Sequence, residues 1–349
     1  MKLQHLRFAI FFCASLGLLC NAGFAQTSVQ TPQFQVQDTW HIGGDGGWDY
    51  LTTDPAAHRL YIARGNRVQV VDTDTGKLVD EIGGMQGVHG VALDNHGKFG
   101  YISDGAAGMV RAFDRTTLLV TASIPAGQNP DGIVFDPFTQ RVFAFNGRSR
   151  SATVIDAATN KALQTIPLPG KPEFPQSDNK GTVYANIEDQ NEIVRIDAKK
   201  MAITATWPIA PCDSPSGLAL DRASHRLFSV CDNKLMTVVD TDTGHVVATA
   251  AIGDGPDATR YDAQRHLVFS SNGEGTLTVV RQNSANNYQP VQTLPTQRGA
   301  RTLALDADTG KIYLVTASFG PRPAATPQNP RPRPSILPNS FVVMVVTAK

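Results

Sequence analysis

The sequence is short of the features that usually announce a reaction. It holds four cysteines and three tryptophans in 349 residues, and its 31 Lys+Arg balance its 31 Asp+Glu. That balance removes the electrostatic footprint of a nucleic-acid binder. No Gly-x-Ser-x-Gly elbow, His-Glu-x-x-His pair or phosphate loop occurs, so the common hydrolase, zincin and nucleotide signatures are missing. The run of Gly43, Gly44, Gly46 and Gly47 has no helix signal behind it and reads as a loop. Beyond residue 25 no apolar run approaches the roughly 20 residues of a membrane-spanning helix. No transmembrane segment and no cofactor is therefore expected.

The one extended apolar run lies near the N-terminus. Lys2 and Arg7 precede an apolar core over residues 8–20, and Gly23, Phe24 and Ala25 place small residues at the recognition positions before a cut. Residues 1–25 are predicted to be a secretory signal peptide, cleaved before Gln26, with a periplasmic or secreted destination. Its removal leaves 31 − 2 = 29 Lys+Arg against 31 Asp+Glu. Cys13 and Cys20 leave with it. Cys212 and Cys231 remain, an even number in an exported chain, which predicts a disulfide; two free buried cysteines are the alternative. Closing that loop contributes about 3 kcal/mol in the chain-entropy model.

What the sequence does contain is a repeat. The stretch 216–253 divides into four short apolar runs, at 217–220, 226–230, 236–239 and 246–252, separated by Asp, Asn, Ser and Gly. Such runs read as strands joined by hairpins. The Asp that ends the first strand recurs as Asp54, Asp94, Asp136, Asp178, Asp221, Asp262 and Asp306, at gaps of 40, 42, 42, 43, 41 and 44 residues. A second ladder, Asp72, Asp114, Asp156, Asp197 and Asp240, follows 18 to 20 residues behind the first, with Arg281 in its place in the sixth unit. Four strands on a period of 40–45 residues predict an all-β, seven-bladed β-propeller with WD40-like repeats and four antiparallel strands per blade. Both ladders read as turn chemistry, with the carboxylate accepting from backbone N–H groups further on. A calcium loop at Asp72 lacks the Glu it would need.

The last unit supplies strands only at 302–305, 311–316 and 341–346, while a segment at 34–42 precedes the first unit's own first strand. The N-terminal strand is predicted to complete the last blade and close the ring, which removes a sheet edge. The domain is thus read as 34–349, behind a flexible polar segment at 26–33. A proline-rich insertion at 318–340 is expected to stand outside any ladder as a mobile excursion between the second and third strands of the last blade.

The repeat resembles the YVTN family of β-propellers (YncE-like). The residues that carry the likeness are the second-strand segments at 60–63, 101–103, 142–146 and 312–316, the third strands at 70–73, 154–157 and 238–241, and the hairpins at 75–77 and 243–244. The turns at 127–132 and 253–257 are similar to the family's Gly-x-x-Pro approach to the next blade. Arg64 and Asp104 stand where the family motif has Asn. The resemblance implies the propeller fold and export, and no specific reaction.

In this architecture the loop leading into each first strand shares a face with the loop between strands two and three, and ligands gather there. The polar or aromatic residues in those lead-in loops are Trp48 with Asp49, His89, Asp131, Glu173, Asp213 with Ser214, Asp257, and Arg298 with Arg301. Trp48, His89, Asp131, Glu173, Asp257 and Arg301 are the candidate ligand-binding residues. The expected role is a monomeric binding or scaffold module for a small molecule or protein at the channel mouth. The alternative is a metal-dependent, lactonase-like hydrolase or lyase, with His89, Asp131, Glu173 and Asp257 holding a divalent ion. Crowded carboxylates at one axis are expected to titrate above their usual value of about 4.

Overall fold

The computed structural model describes Met1, residues 32–326, Asn329 and residues 332–349. The predicted signal peptide, apart from Met1, and residues 26–31 of the polar segment lie outside these. Seven four-stranded antiparallel sheets form among the described residues, each built from consecutive strands except the last. The third blade is typical: Pro130–Asp136, Arg141–Asn146, Ser151–Asp156 and Lys161–Pro167 follow one another outward. The chain is therefore a seven-bladed β-propeller.

The burial of the strands explains why the sheets need one another. Arg141–Asn146 is buried throughout its last five residues, whereas Lys161–Pro167 is exposed except at Ile166. The two middle strands are covered on both faces and the outermost strand on little more than one residue. Seven apolar clusters fill the seven spaces between neighbouring blades. One joins Phe143, Phe145 and Val154 of the third blade to Val183, Ala185 and Val194 of the fourth. Burial of apolar area at these seams is what holds the ring, at roughly 25 cal/mol per Å².

Both aspartate ladders are turn chemistry. Asp72 Oδ1 accepts from the N–H groups of Asp74 (3.1 Å) and Thr75 (2.8 Å), and Asp114, Asp156, Asp197 and Asp240 repeat the arrangement. The first ladder does the same, as Asp136 with the N–H of Thr139 (2.9 Å). The N–H groups of Thr75 and Thr117 hold the Asp72 and Asp114 carboxyls below the usual range.

Ring closure follows the expected pairing. Phe34–His41 runs antiparallel to Val342–Ala348, with Val36 opposite Val346 and His41 opposite Val342. Phe34 is fixed twice: its ring packs edge-on against Phe269 at 5.1 Å, and its N–H and C=O both bond the Gln292 side chain at 2.8 Å. Cys212 and Cys231 are bonded, with Cα atoms 5.4 Å apart. The proline-rich insertion joins none of the seven sheets, as expected, but its stem pairs with itself. Phe319 bridges Ile336, Gly320 N–H donates to Ser335 O (2.8 Å), and Leu337 N–H donates to Ser318 O (2.9 Å). The prolines lie beyond or between these donors, so the N–H groups the stem needs are present.

Two measurements test this architecture. Deleting residues 32–41 exposes the Val342–Ala348 edge and the face that Phe34 covers, and the expected result is aggregation in light scattering. A monodisperse monomer with an unchanged melting temperature would show that closure is dispensable. Reduction of Cys212–Cys231 is expected to lower the unfolding free energy by about 3 kcal/mol in denaturant titrations. Identical curves with and without reductant, together with two alkylatable thiols in the unreduced unfolded chain, would show that the bond does not form.

Candidate functional site

One position in each blade builds the site. Counting five residues back from each first-ladder aspartate gives Asp49, His89, Asp131, Glu173, Ser216, Asp257 and Arg301. In blades two to five this residue directly follows the first paired residue of the strand: Val88, Pro130, Pro172 and Pro215 are opposite Asp104, Asn146, Ile187 and Cys231. The ladder register shifts immediately after, in these four blades and again past Pro256 in the sixth. A proline at the first residue of a strand loses no ladder bond that matters. A bulge next to it re-aims the following side chain. The strand therefore turns its second residue toward the axis.

In five blades the lead-in loop is held by a matching position, the last residue of the second strand: Arg64, Asp104, Asn146, Cys231 and Thr316. Ile187 and Asn272 occupy it in the other two. Arg64 is fully buried. Its guanidinium donates to the carbonyls of Gly46 (2.8 Å), Gly47 (3.0 Å) and Gly44 (3.0 Å) and lies 3.7 Å over the Phe341 ring. Burial pulls it down to about 10. The glycine run is therefore a cradle for an arginine. Asp104 accepts from the N–H groups of Gln86 (2.9 Å) and Gly87 (3.0 Å), Asn146 from Gly127 (3.2 Å), and Thr316 donates to Arg298 O (2.8 Å). Cys231 makes the same tie covalently, to Cys212.

The candidates fall into three groups. His89 Nδ1 lies 2.7 Å from Asp49 and 3.7 Å from Asp131. Glu173 lies 2.7 Å from Lys171 and accepts from the Tyr50 hydroxyl at 3.5 Å. Asp257 pairs with Arg301 at 3.1 Å and accepts from the Ser216 hydroxyl at 2.8 Å. Trp48 is one residue out of step with the ring and turns away from it, onto Phe341 (5.5 Å) and Phe319 (6.1 Å). Of the residues expected to hold a metal, only His89 and Asp131 come together. Asp49 joins them, with one potential ligand atom from each within 4.8 Å of the others; Glu173 and Asp257 have cationic partners of their own.

The ring is short of positive charge. Burial pushes the Asp131 carboxyl up to about 6, with Asp49 and Asp257 adding and His89 opposing. Burial and Asp131 push Glu173 to about 8; Lys171, half exposed and shared with Glu188, does not offset them. Burial also raises Asp257, against Arg301. For His89, burial acts downward, but the Asp49 bond and the Asp131 charge win and hold the imidazolium to about 9. Buried Tyr50 sits among all of them: its hydroxyl is raised by burial and by the charges of Asp131, Glu173, Asp49 and Asp257.

Tyr50 also floors the site. Its ring meets Phe174 edge-on at 4.8 Å, and the Arg260 guanidinium lies 4.6 Å over Phe174. Beneath them a cavity of about 320 Å³ follows the first strands down the channel. The arrangement can take up a cation at the mouth, with a proton released from a raised carboxyl as it ionises. Tyr50, Lys171, Ser216 and Arg260 were not foreseen as site residues. The five-residue count from the aspartate ladder would have found Ser216 and placed Asp49 ahead of Trp48.

No family model and no curated protein sequence matches the chain. Solved structures do. Kuenenia stuttgartiensis hydrazine synthase superposes with a TM-score of 0.70 at 18% identity, covering 78% of this chain and 94% of that one. U3-55K superposes with a TM-score of 0.73 at 11% identity, covering 90% and 99%. The WD40 repeats of RRP9 superpose with a TM-score of 0.74 at 11% identity, covering 91% and 99%. At these identities the likeness is one of fold. The chain is a propeller with WD40-type structural neighbours.

The charge shortage fixes a pH dependence. Asp131 and Glu173 bind protons more tightly folded than unfolded, so their contribution is full below pH 4 and is lost as pH rises through about 6 and about 8. His89, raised to about 9, acts in the same direction between its unfolded value and pH 9. The turn aspartates with lowered values oppose this only at more acid pH. Asp131→Asn should therefore flatten the stability curve between pH 4 and 6, by about 1–3 kcal/mol relative to the parent. Denaturant midpoints across that range measure it, and parallel curves would mean Asp131 is not strained.

Proposed function

We propose that this protein is an exported propeller that acts as a binding module, holding a ligand or partner that presents a cationic group to the axial ring. The observation that carries the reading is the convergence of one position from six blades. It gathers four carboxyls, one imidazole and one guanidinium, with three of the carboxyls driven up by burial that the nearby cations do not offset. Such a site gains most from an incoming cation, because the cation stabilises ionised forms that burial disfavours. The YVTN-like repeat and the disulfide support export to an oxidising compartment, periplasmic or extracellular. The WD40-type neighbours support a binding role by fold alone. The expected partner is a small molecule or a basic side chain of a protein, met by a monomer.

A second reading has an observation of its own. Asp49, His89 and Asp131 could hold a divalent ion for a hydrolase or lyase. The 2.7 Å contact between His89 Nδ1 and Asp49 is shorter than the roughly 3.3 Å between two ligands of one tetrahedral zinc. The ion would have to displace the proton between them.

Titration calorimetry with 1,4-diaminobutane, and separately with Mg²⁺, Ca²⁺, Mn²⁺ and Zn²⁺, tests both. The first reading expects one diamine per chain, with release of up to about one proton at pH 7 as Glu173 ionises. Joint replacement of Asp131 and Asp257 by Asn should weaken it at least about tenfold. A stoichiometric metal ion lost on Asp49→Asn or His89→Ala favours the enzyme, and silence toward every probe rejects the axial site.

A further inference from the structure

Beside the ring, on the same face, the proline-rich insertion does something its composition does not announce. Its stem rises against the lead-in loops of the first and last blades, and between them lies a cavity of about 340 Å³. Arg298 and Arg301 come from the last blade's lead-in loop, Arg333 from the returning limb of the insertion, and Trp48 and Phe319 line the space between them. Of the three arginines only Arg301 has a salt-bridge partner among the described residues, Asp257 at 3.1 Å. The residues outside that description contain no acidic side chain. Two arginines therefore line the same cavity with no salt-bridge partner among the described residues.

The walls are fixed. Thr316 holds the Arg298 carbonyl (2.8 Å), Gln297 donates to Ala317 O (3.1 Å), and the Phe319–Ile336 bridge closes the stem. Phe319 lies so close over Gly299 that a Cβ there would meet its ring at 2.9 Å. Trp48 and Phe319 are half-buried, tilted 47° to one another, with centroids 6.1 Å apart. Guanidinium groups recognise carboxylate or phosphate through two parallel N–H donors. Aromatic side chains give a flat apolar body something to stack on.

We propose that this cavity is an anion site for a small aromatic acid, a flat one- or two-ring body bearing a carboxylate or phosphate. The acid group lies between Arg298 and Arg333 and the body lies against Trp48 and Phe319. The proline-rich insertion is then a built wall of a binding site. The inference rests on the reading of this face as the binding face, but on none of the ring carboxyls. Arg301 belongs to both places, so a ligand carrying a cation and an aromatic acid could engage ring and cavity together.

The test is titration of the purified protein with 1-naphthyl phosphate, 1-naphthoate and inorganic phosphate, at low and at physiological salt, with Trp fluorescence read in parallel. At least one aryl anion is expected to bind one to one, about tenfold or more tighter than inorganic phosphate, and more weakly as salt rises. Arg298→Ala with Arg333→Ala should weaken that binding at least about tenfold. Arg298→Lys with Arg333→Lys should restore only part, because charge returns without the paired donors. Both arginines are exposed, and an unchanged melting temperature confirms that the variants keep the fold. The inference is overturned if neither aryl anion binds at millimolar concentration, or if binding survives the double alanine variant undiminished. Diamine binding separates the two readings: its failure with aryl-anion binding intact rejects only the axial ring, and the converse rejects only this cavity.

Discussion

The tie between the end of a second strand and the loop that leads into its blade, made by a side chain in five of the seven blades, is the constraint on which the site depends. Backbone bonds such as Gly147 N–H to Asn129 O and Glu188 N–H to Lys171 O brace the lead-in loops, and the side-chain ties add the further restraint that fixes the geometry of the ring. The protein solves the same problem with different chemistry from blade to blade: Arg64 through carbonyls, Asp104 and Asn146 through N–H groups, Thr316 through a carbonyl, and Cys231 through a covalent bond. The diversity follows from what each loop offers. A carbonyl-rich glycine loop calls for a donor such as Arg64, and a loop that turns its N–H groups inward calls for an acceptor such as Asp104. The disulfide is thus one member of a series, and its place in the fold is explained by position.

The tie has an electrostatic consequence. Pinned loops cannot swing their carboxyls out to water, so Asp131 and Glu173 keep the cost of burial. The floor of Tyr50, Phe174 and Arg260 deepens that cost by filling the space where channel water would solvate them from below. Arg260 is itself pulled down to about 10 by burial. It stacks on Phe174 and does not reach a ring carboxylate: no salt bridge joins them among the described residues. The ring is strained because its supports are rigid, which is the usual relation between a built site and the stability given up for it.

Much of this was legible in the sequence. The aspartate ladders gave the period because turn chemistry is local: a carboxylate three residues from its N–H partners needs nothing from the rest of the chain. The closing strand was legible from a count, one strand too many at 34–42 and one too few at the end. The site was legible only in part, because lead-in loops differ in length. Reading the loops by their most conspicuous residue chose Trp48 over Asp49 and Ser214 over Ser216, whereas the strand measures position back from its aspartate. Tyr50 escaped because its role comes from packing across the axis, against Glu173 at a separation of 123 positions. Lys171 escaped because its pairing with Glu173 and Glu188 within its own blade is set by how that blade folds. The stem of the insertion escaped because its prolines masked the few N–H groups that pair.

The face that results is divided by sign. Carboxyls occupy the axis and unpaired arginines the rim, with Arg301 at the border, paired inward to Asp257. Opposite charges so close would ordinarily collapse into ion pairs, and among the described residues the arginines of the rim cavity pair with an axial carboxyl once, at Arg301. They do not collapse elsewhere because the two sets sit on different supports. The carboxyls stand on inner strands fixed by the ties, and Arg333 stands on an insertion fixed by its own stem. Two anchored, opposite, incompletely compensated charge sets on one face amount to unmet demand in the free protein. Turn chemistry alone accounts for the aspartate ladders on the far face, where every carboxylate has its N–H groups. It does not account for this face, and that difference is the physical ground for placing binding here.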